Sequence, residues 1–162
     1  MVGDRGLQRK GPEQRLQDLN IRLSDAPTPF GSYVESVQTW RLLFLSGMLP
    51  VVNHKPKYLG RLGAELDVQA GRDAARTADL SALAAARRHL GSFDRVRRVV
   101  RLGVFMATHG DFFDQPAVAD GASDLFRDVF GDENLAVRSV IGVASLPLGV
   151  PVELEVVLEV DE

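Results

Sequence analysis

The fold turns on the stretch from Val137 to Val160, V-R-S-V-I-G-V-A-S-L-P-L-G-V-P-V-E-L-E-V-V-L-E-V. Its period-two alternation predicts two strands joined by a short Pro/Gly turn, which would pair as a hairpin. Alternation puts Arg138, Val140, Gly142 and Ala144 on one face of the first strand. The last three are small or medium, so the guanidinium has room beside it. A planar fork of donors over an open floor suits a carboxylate. A strand arginine is more commonly a solvated or salt-bridged surface residue, so Arg138 does not define a site by itself. On the second strand, Val152, Leu154, Val156, Leu158 and Val160 form the buried face, and Glu153, Glu155 and Glu159 point the other way. Strand glutamates are ordinarily a solvated face. In a hairpin, however, one of them would share the pocket of Arg138 and could carry a proton for a small substrate.

Upstream of this stretch, Asp67 to Leu90 is the clearest helix, with Asp67 as N-cap and Gly91 as stop. Gly71, Ala75, Ala78, Ala82 and Ala86 make a small-residue stripe that lets the helix lie close to a sheet. A second helix is expected over Asp111 to Phe130, broken at Pro116, burying Val118, Ala122, Leu125, Phe126 and Val129. Val96 to Ala107 alternates as a long strand, with Val100, Leu102, Val104 and Met106 on one face and Arg97 and Arg101 on the other. Val34–Gln38 and Leu42–Ser46 read as strands around a turn at Trp40, and Met48 to Tyr58 as a loop. Gly60 to Ala64 reads as a brief extended piece. The order β-β-α-β-α-β-β describes a two-layer α+β domain with both helices on one face of the sheet. The other sheet face stays uncovered and apolar, which predicts self-association through it. Residues 1–28 read as a leader with a short helix near Glu13 to Ile21, and residues 29–162 as the domain proper.

The 162 residues are 45% hydrophobic and 25% charged, with a net charge of −3 and no cysteine. One ordinary globular domain is the natural reading. Thiol catalysis, disulfides and cysteine-ligated metals are excluded. The charge gives no general pull toward nucleic acid or anionic membrane. Four arginines between Arg95 and Arg101 carry no interleaved aromatic platform, so nucleic acid is not the expected partner. No apolar run is long enough for a transmembrane helix, and the N-terminus lacks the apolar core of a secretory signal, so a cytoplasmic location is expected. His54, His89 and His109 have no ligand spacing; His54 in its loop and His89 at a helix end read as solvated, and no metal is expected. Ser46-Gly47 closes a strand, either as a plain terminus or as a source of backbone N–H groups for an anion or carbonyl.

Several segments together resemble the YjgF/RidA family over about Pro29 to Val160. They are G-S-Y-V-E-S-V with Tyr33, L-F-L-S-G-M-L-P around Ser46-Gly47, V-V-R-L-G-V-F-M before D-F-F, and the closing V-R-S-V-I-G-V-A-S-L-P-L-G-V-P-V-E-L-E-V. The resemblance implies a chorismate-mutase-like α+β fold with a mixed sheet, assembled as a homotrimer with active sites in clefts between subunits. It implies hydrolysis of enamine/imine intermediates such as 2-aminoacrylate to 2-keto acids and ammonia, without a cofactor; other members carry an endoribonuclease or translation-inhibitor label. By position, Arg138 matches the arginine that grips the substrate carboxylate, and Glu153 the glutamate that holds or activates water. Tyr33 matches a pocket tyrosine, and Ser46 with Gly47 a segment lining the cleft. This chain departs from the common pattern at Met48, where glutamine is frequent, at Val137 and Val140, and at Asp120, where asparagine is common. A carboxylate at Asp120 would repel a carboxylate substrate if it faced the pocket. Those departures support a rival reading, a non-catalytic module that binds a small carboxylate or a partner protein.

Overall fold

The computed structural model describes residues 10–162. Residues 1–9 of the expected leader lie outside the described residues. Along the chain run α1 (Pro12–Asp18), β1 (Ser36–Thr39), β2 (Leu42–Leu45), β3 (Val51–Val52), β4 (Lys55–Pro56), α2 (Val68–Leu90), β5 (Val96–Ala107), α3 (Gln115–Phe130), β6 (Val137–Val143) and β7 (Val152–Val160). The main sheet has the order β1-β2-β7-β5-β6 and is mixed: β6 runs parallel to β5, and every other pair is antiparallel. The expected two-layer α+β architecture is present.

The last two strands depart from the hairpin reading. Strand β5 is inserted between β6 and β7 and pairs with both. The connection from Ala144 to Pro151 is long enough to step over one strand, a distance of about 5 Å per strand spacing. Local alternation sets which face a residue takes, but not which neighbour its strand selects.

Strand β5 corrects a second detail. Its pairing with β7 shifts register between Val96 and Arg98 and again between Val99 and Arg101. These irregularities rotate the strand so that Val96, Val99 and Leu102 are buried, and Val100 is only half-buried. Beyond Leu102 the plain alternation resumes with Val104 and Met106 in the core.

Helix α2 begins where Asp67 accepts a 2.8 Å hydrogen bond from the Ala70 N–H, and ends at Gly91, whose φ is +79°. Its small-residue stripe is buried throughout. Helix α3 starts at Gln115 rather than Asp111, because Pro116 in the first turn has no N–H to leave unpaired; it opens the helix instead of breaking it. The 48–58 segment contains the hairpin β3–β4, turned by Asn53 (φ 51°) and His54 (φ 61°). Two adjacent left-handed residues suit a tight two-residue hairpin turn. His89 is not a free surface group: Nε2 lies 3.0 Å from Gln38 Oε1 and Nδ1 3.2 Å from Ser36 Oγ, which ties the end of α2 to β1. Leu16 of α1 is part of the core, and Glu13 accepts from the Phe93 N–H at 2.9 Å.

The two long helices meet at backbone contact. A Cβ at Gly121 would stand 2.2 Å from the Arg72 carbonyl oxygen, and the Arg72 side chain bonds the Ala117 carbonyl and Asp124. Asp79 falls on the same flank of α2, two turns on. It is wholly buried, and neither carboxylate oxygen has a hydrogen-bond partner among the described residues. Burial pushes its pKa well above the ordinary carboxylate range, opposed by the charge of Arg76.

Two predictions follow from this interface. Gly121→Ala should destabilise the fold by about 1–3 kcal/mol by overpacking against backbone, despite alanine's better helix propensity; an unchanged denaturation midpoint would contradict the contact. The Asp79 contribution to stability is full below the unfolded carboxyl's pKa and is lost as pH rises through the raised folded value. Wild type should therefore lose more stability than Asp79→Asn between about pH 4 and about pH 8. Equal losses in a urea titration would show that Asp79 is not the titrating group.

Candidate active site

The clearest cavity, about 420 Å³, opens at the end of β2 and the start of β7. Pairing of β2 with β7 continues past the strand as a bridge between Met48 and Leu154, which sets Ser46-Gly47 against Glu153. A Cβ at Gly47 would lie 2.0 Å from Glu153 Oε1, so the glutamate occupies the space that any side chain at 47 would need. The Glu153 carboxyl is half-buried, and desolvation raises its pKa above the ordinary glutamate value. Of the backbone N–H groups here, that of Ser46 bonds the Glu35 carbonyl and that of Met48 the Leu154 carbonyl. Among the described residues only the Gly47 N–H of these three is left without a partner, so the segment offers one donor and not several.

The walls come from three loops. In the first, the Phe30 N–H donates to Tyr33 Oη at 2.9 Å, which folds F-G-S-Y into a tight turn carrying two aromatic rings to the cavity. In the second, Pro147 and Leu148 lie between β6 and β7, and in the third Leu49 closes the side next to Gly47. Sequence reasoning named Tyr33, Ser46, Gly47 and Glu153 and missed Phe30, Leu49, Pro147 and Leu148. The P-L-G sequence at 147–149 was legible as a turn, but nothing in it announced an apolar wall.

Arg138 stands elsewhere. It pairs with Leu102 on β5, whereas Glu153 pairs with Phe105, an odd offset that puts the two on opposite faces of the sheet. Arg138 faces the helical layer, where its Nη1 donates to Asp120 Oδ1 at 2.7 Å and to Ser123 Oγ at 3.0 Å. Its side chain is one-quarter exposed, and its Nε and Nη2 carry no hydrogen bond among the described residues. The expected open floor beside it is thus covered by α3, and Asp120 is a partner of the arginine. Val140, on the same face, packs against the core. Met48, expected at the site, is instead buried with its side chain in the core and its backbone paired with Leu154, and it does not line the cavity.

The cluster on β5 forms no free basic platform. Arg95 donates to the Leu90 and Asp161 carbonyls, Arg97 pairs with Asp161, Arg98 donates to the Glu133 carbonyl, and Arg101 lies 3.9 Å from Glu155. The uncovered sheet face carries Val37, Phe44, Val137 and Ile141, each between 41% and 71% exposed. No described helix is long and apolar enough to cross a membrane.

These features can be set beside known proteins. The model of the YjgF/chorismate mutase-like family matches residues 13–158. Protein TCP17 of Trypanosoma cruzi is 41% identical over 147 residues, covering 90% of this chain and 92% of that one. A 2-iminobutanoate/2-iminopropanoate deaminase of Dermatophagoides farinae is 28% identical over 137 residues, 84% of this chain and 91% of its own. The crystal structure of Atu1372 from Agrobacterium tumefaciens, a protein of unknown function, superposes with a TM-score of 0.85 at 33% identity, covering 93% and 92% of the two chains.

The geometry at Gly47 gives a direct test. The carboxyl carbon of Glu153, followed by NMR, should titrate above the ordinary glutamate value. In Gly47→Ala the added methyl displaces the carboxylate, and the midpoint should fall back toward that value. A midpoint indifferent to the substitution would contradict the close packing.

Proposed function

Because the chain belongs to the YjgF/chorismate mutase-like family, we propose that it hydrolyses 2-imino acids of the 2-aminoacrylate type to 2-keto acids and ammonia. The observation that carries this reading is Glu153: a partly desolvated carboxylate with a raised pKa, on the floor of a mostly apolar cavity, beside a free N–H at Gly47. The imine deaminase relative supports the reaction class.

In this reading Glu153 holds a water and accepts its proton as the oxygen attacks the imine carbon. The carbinolamine collapses with the proton returned to nitrogen, and ammonia leaves. Arg138 binds the substrate carboxylate through its Nε–Nη2 edge, while Asp120 and Ser123 anchor Nη1. Since Arg138 and Glu153 lie on opposite faces of one sheet, with β5 between their strands, the site is assembled between copies of the chain. Edge strand β6 of one copy presents Arg138 to the cavity of the next. The exposed apolar residues of the open sheet face give a homotrimer its contact surface.

A second reading has its own observation. Asp120 already neutralises Arg138, which suits a module that senses a small ligand without turning it over. Stabilisation by small keto acids in a thermal-shift assay, with no turnover, would favour it.

The primary test is hydrolysis of 2-aminoacrylate and 2-iminobutyrate generated in situ by a dehydratase. Arg138→Ala and Glu153→Gln should each lower kcat/KM by about 10²–10⁴-fold while the assembly persists. The wild-type rate should rise with pH through the raised Glu153 value, because the base works ionised, and Glu153→Gln should lack that limb. Unchanged turnover in either variant would remove that residue from the mechanism.

A further inference from the structure

The cavity beside Glu153 is walled mostly by apolar side chains. Phe30, Tyr33, Leu49 and Leu148 bound it, with Glu153 as the charged group. The polar groups beside Glu153 are the hydroxyls of Tyr33 and Ser46 and the Gly47 N–H, and the Ser46 hydroxyl is spent on the Val34 carbonyl.

Leu148 adds an independent observation. Its φ is +59° with ψ 11°, a left-handed conformation that a leucine rarely adopts. Glycine would sit there without strain, and Gly149 beside it is also left-handed, at φ +73°. The neighbouring bonds hold the turn in place: Gly149 N–H to the Leu146 carbonyl, Val150 N–H to the Pro147 carbonyl, and Gly60 N–H to the Gly149 carbonyl. The leucine side chain is 48% exposed and lines the cavity, so it gains little burial in return for its strained backbone. Strain retained by a half-exposed apolar residue at a cavity wall points to a role toward what enters the cavity.

Resting on the deaminase reading above, we propose that the substrate is a 2-imino acid with a large apolar or aromatic side chain, and that Leu148 is the residue that selects it. The side chain lies between the aromatic pair of Phe30 and Tyr33 and the Leu49–Leu148 wall. The imine carbon then faces the water on Glu153, and the carboxylate points out toward Arg138 of a neighbouring copy. The reaction balances as R–C(=NH)–COO⁻ + H₂O → R–CO–COO⁻ + NH₃, so the bulk of R changes binding and not the chemistry. Each methylene correctly housed in such a wall is worth about 10–200-fold in kcat/KM.

The test uses imines released in situ by an amino-acid oxidase from alanine, leucine and phenylalanine, with ammonia-independent detection of imine decay. Wild type should prefer the leucine or phenylalanine imine over the alanine imine by at least about tenfold. Leu148→Gly should lose most of that preference while its melting temperature holds or rises, since the strain is relieved. Leu148→Asn, which also tolerates the left-handed region, serves if the glycine variant folds poorly. Thermal shifts with phenylpyruvate and pyruvate read the same preference without turnover, and the larger keto acid should stabilise wild type more. A better rate on the alanine imine would overturn the size assignment and leave the deaminase reading standing. Decay of none of the imines would overturn the deaminase reading itself. A preference unchanged in both Leu148 variants would overturn the role of Leu148.

Discussion

Strand β5 is paired along both edges, parallel to β6 and antiparallel to β7, and the rest of the molecule follows from that arrangement. It separates the two strands that carry the principal polar groups, Arg138 and Glu153. Because the pairing offset between them is odd, it also assigns them to opposite faces. A chain folded this way cannot bring its own arginine to its own glutamate without breaking the central ladder. Chemistry that needs both requires a second copy, and the uncovered sheet face with its exposed Phe44 and Ile141 is the surface on which one would dock.

The helical layer works under a complementary constraint. Small residues on α2 and Gly121 on α3 let the backbones approach until an added methyl would overlap the Arg72 carbonyl. This closeness holds α3 over β6, so that Asp120 and Ser123 reach the guanidinium of Arg138. Asp120 thereby fixes Nη1 of Arg138, while Nε and Nη2 carry no hydrogen bond among the described residues. The same tight layer leaves Asp79 buried, with no hydrogen-bond partner for its carboxylate among the described residues.

Much of this was written in the local pattern. The cap at Asp67, the stop at Gly91 and the alternation of Val152 to Val160 each depend on residues a few positions apart, and each appears as read. What the pattern could not carry was partnership between distant segments. The 137–160 stretch looks like a hairpin because its turn chemistry is local, yet β5 takes the place between the strands. Bulges in β5 likewise depend on its partner β7, so Val99 rather than Val100 enters the core. At the cavity, Tyr33, Ser46, Gly47 and Glu153 converge through the pairing of β2 with β7. Phe30, Leu49, Pro147 and Leu148 went unnoticed because an apolar wall made from three loops has no sequence period.

Whether the site is shared between copies is read most directly by subunit mixing. Arg138→Ala and Glu153→Gln chains, each inactive alone, would be unfolded together in equal amounts and refolded. If Arg138 and Glu153 come from different copies, about one site in four regains both groups, and imine hydrolysis returns to about a quarter of the wild-type rate. If the two residues act within one chain, no mixed assembly contains an intact site. A refolded mixture as inactive as its components would contradict the account.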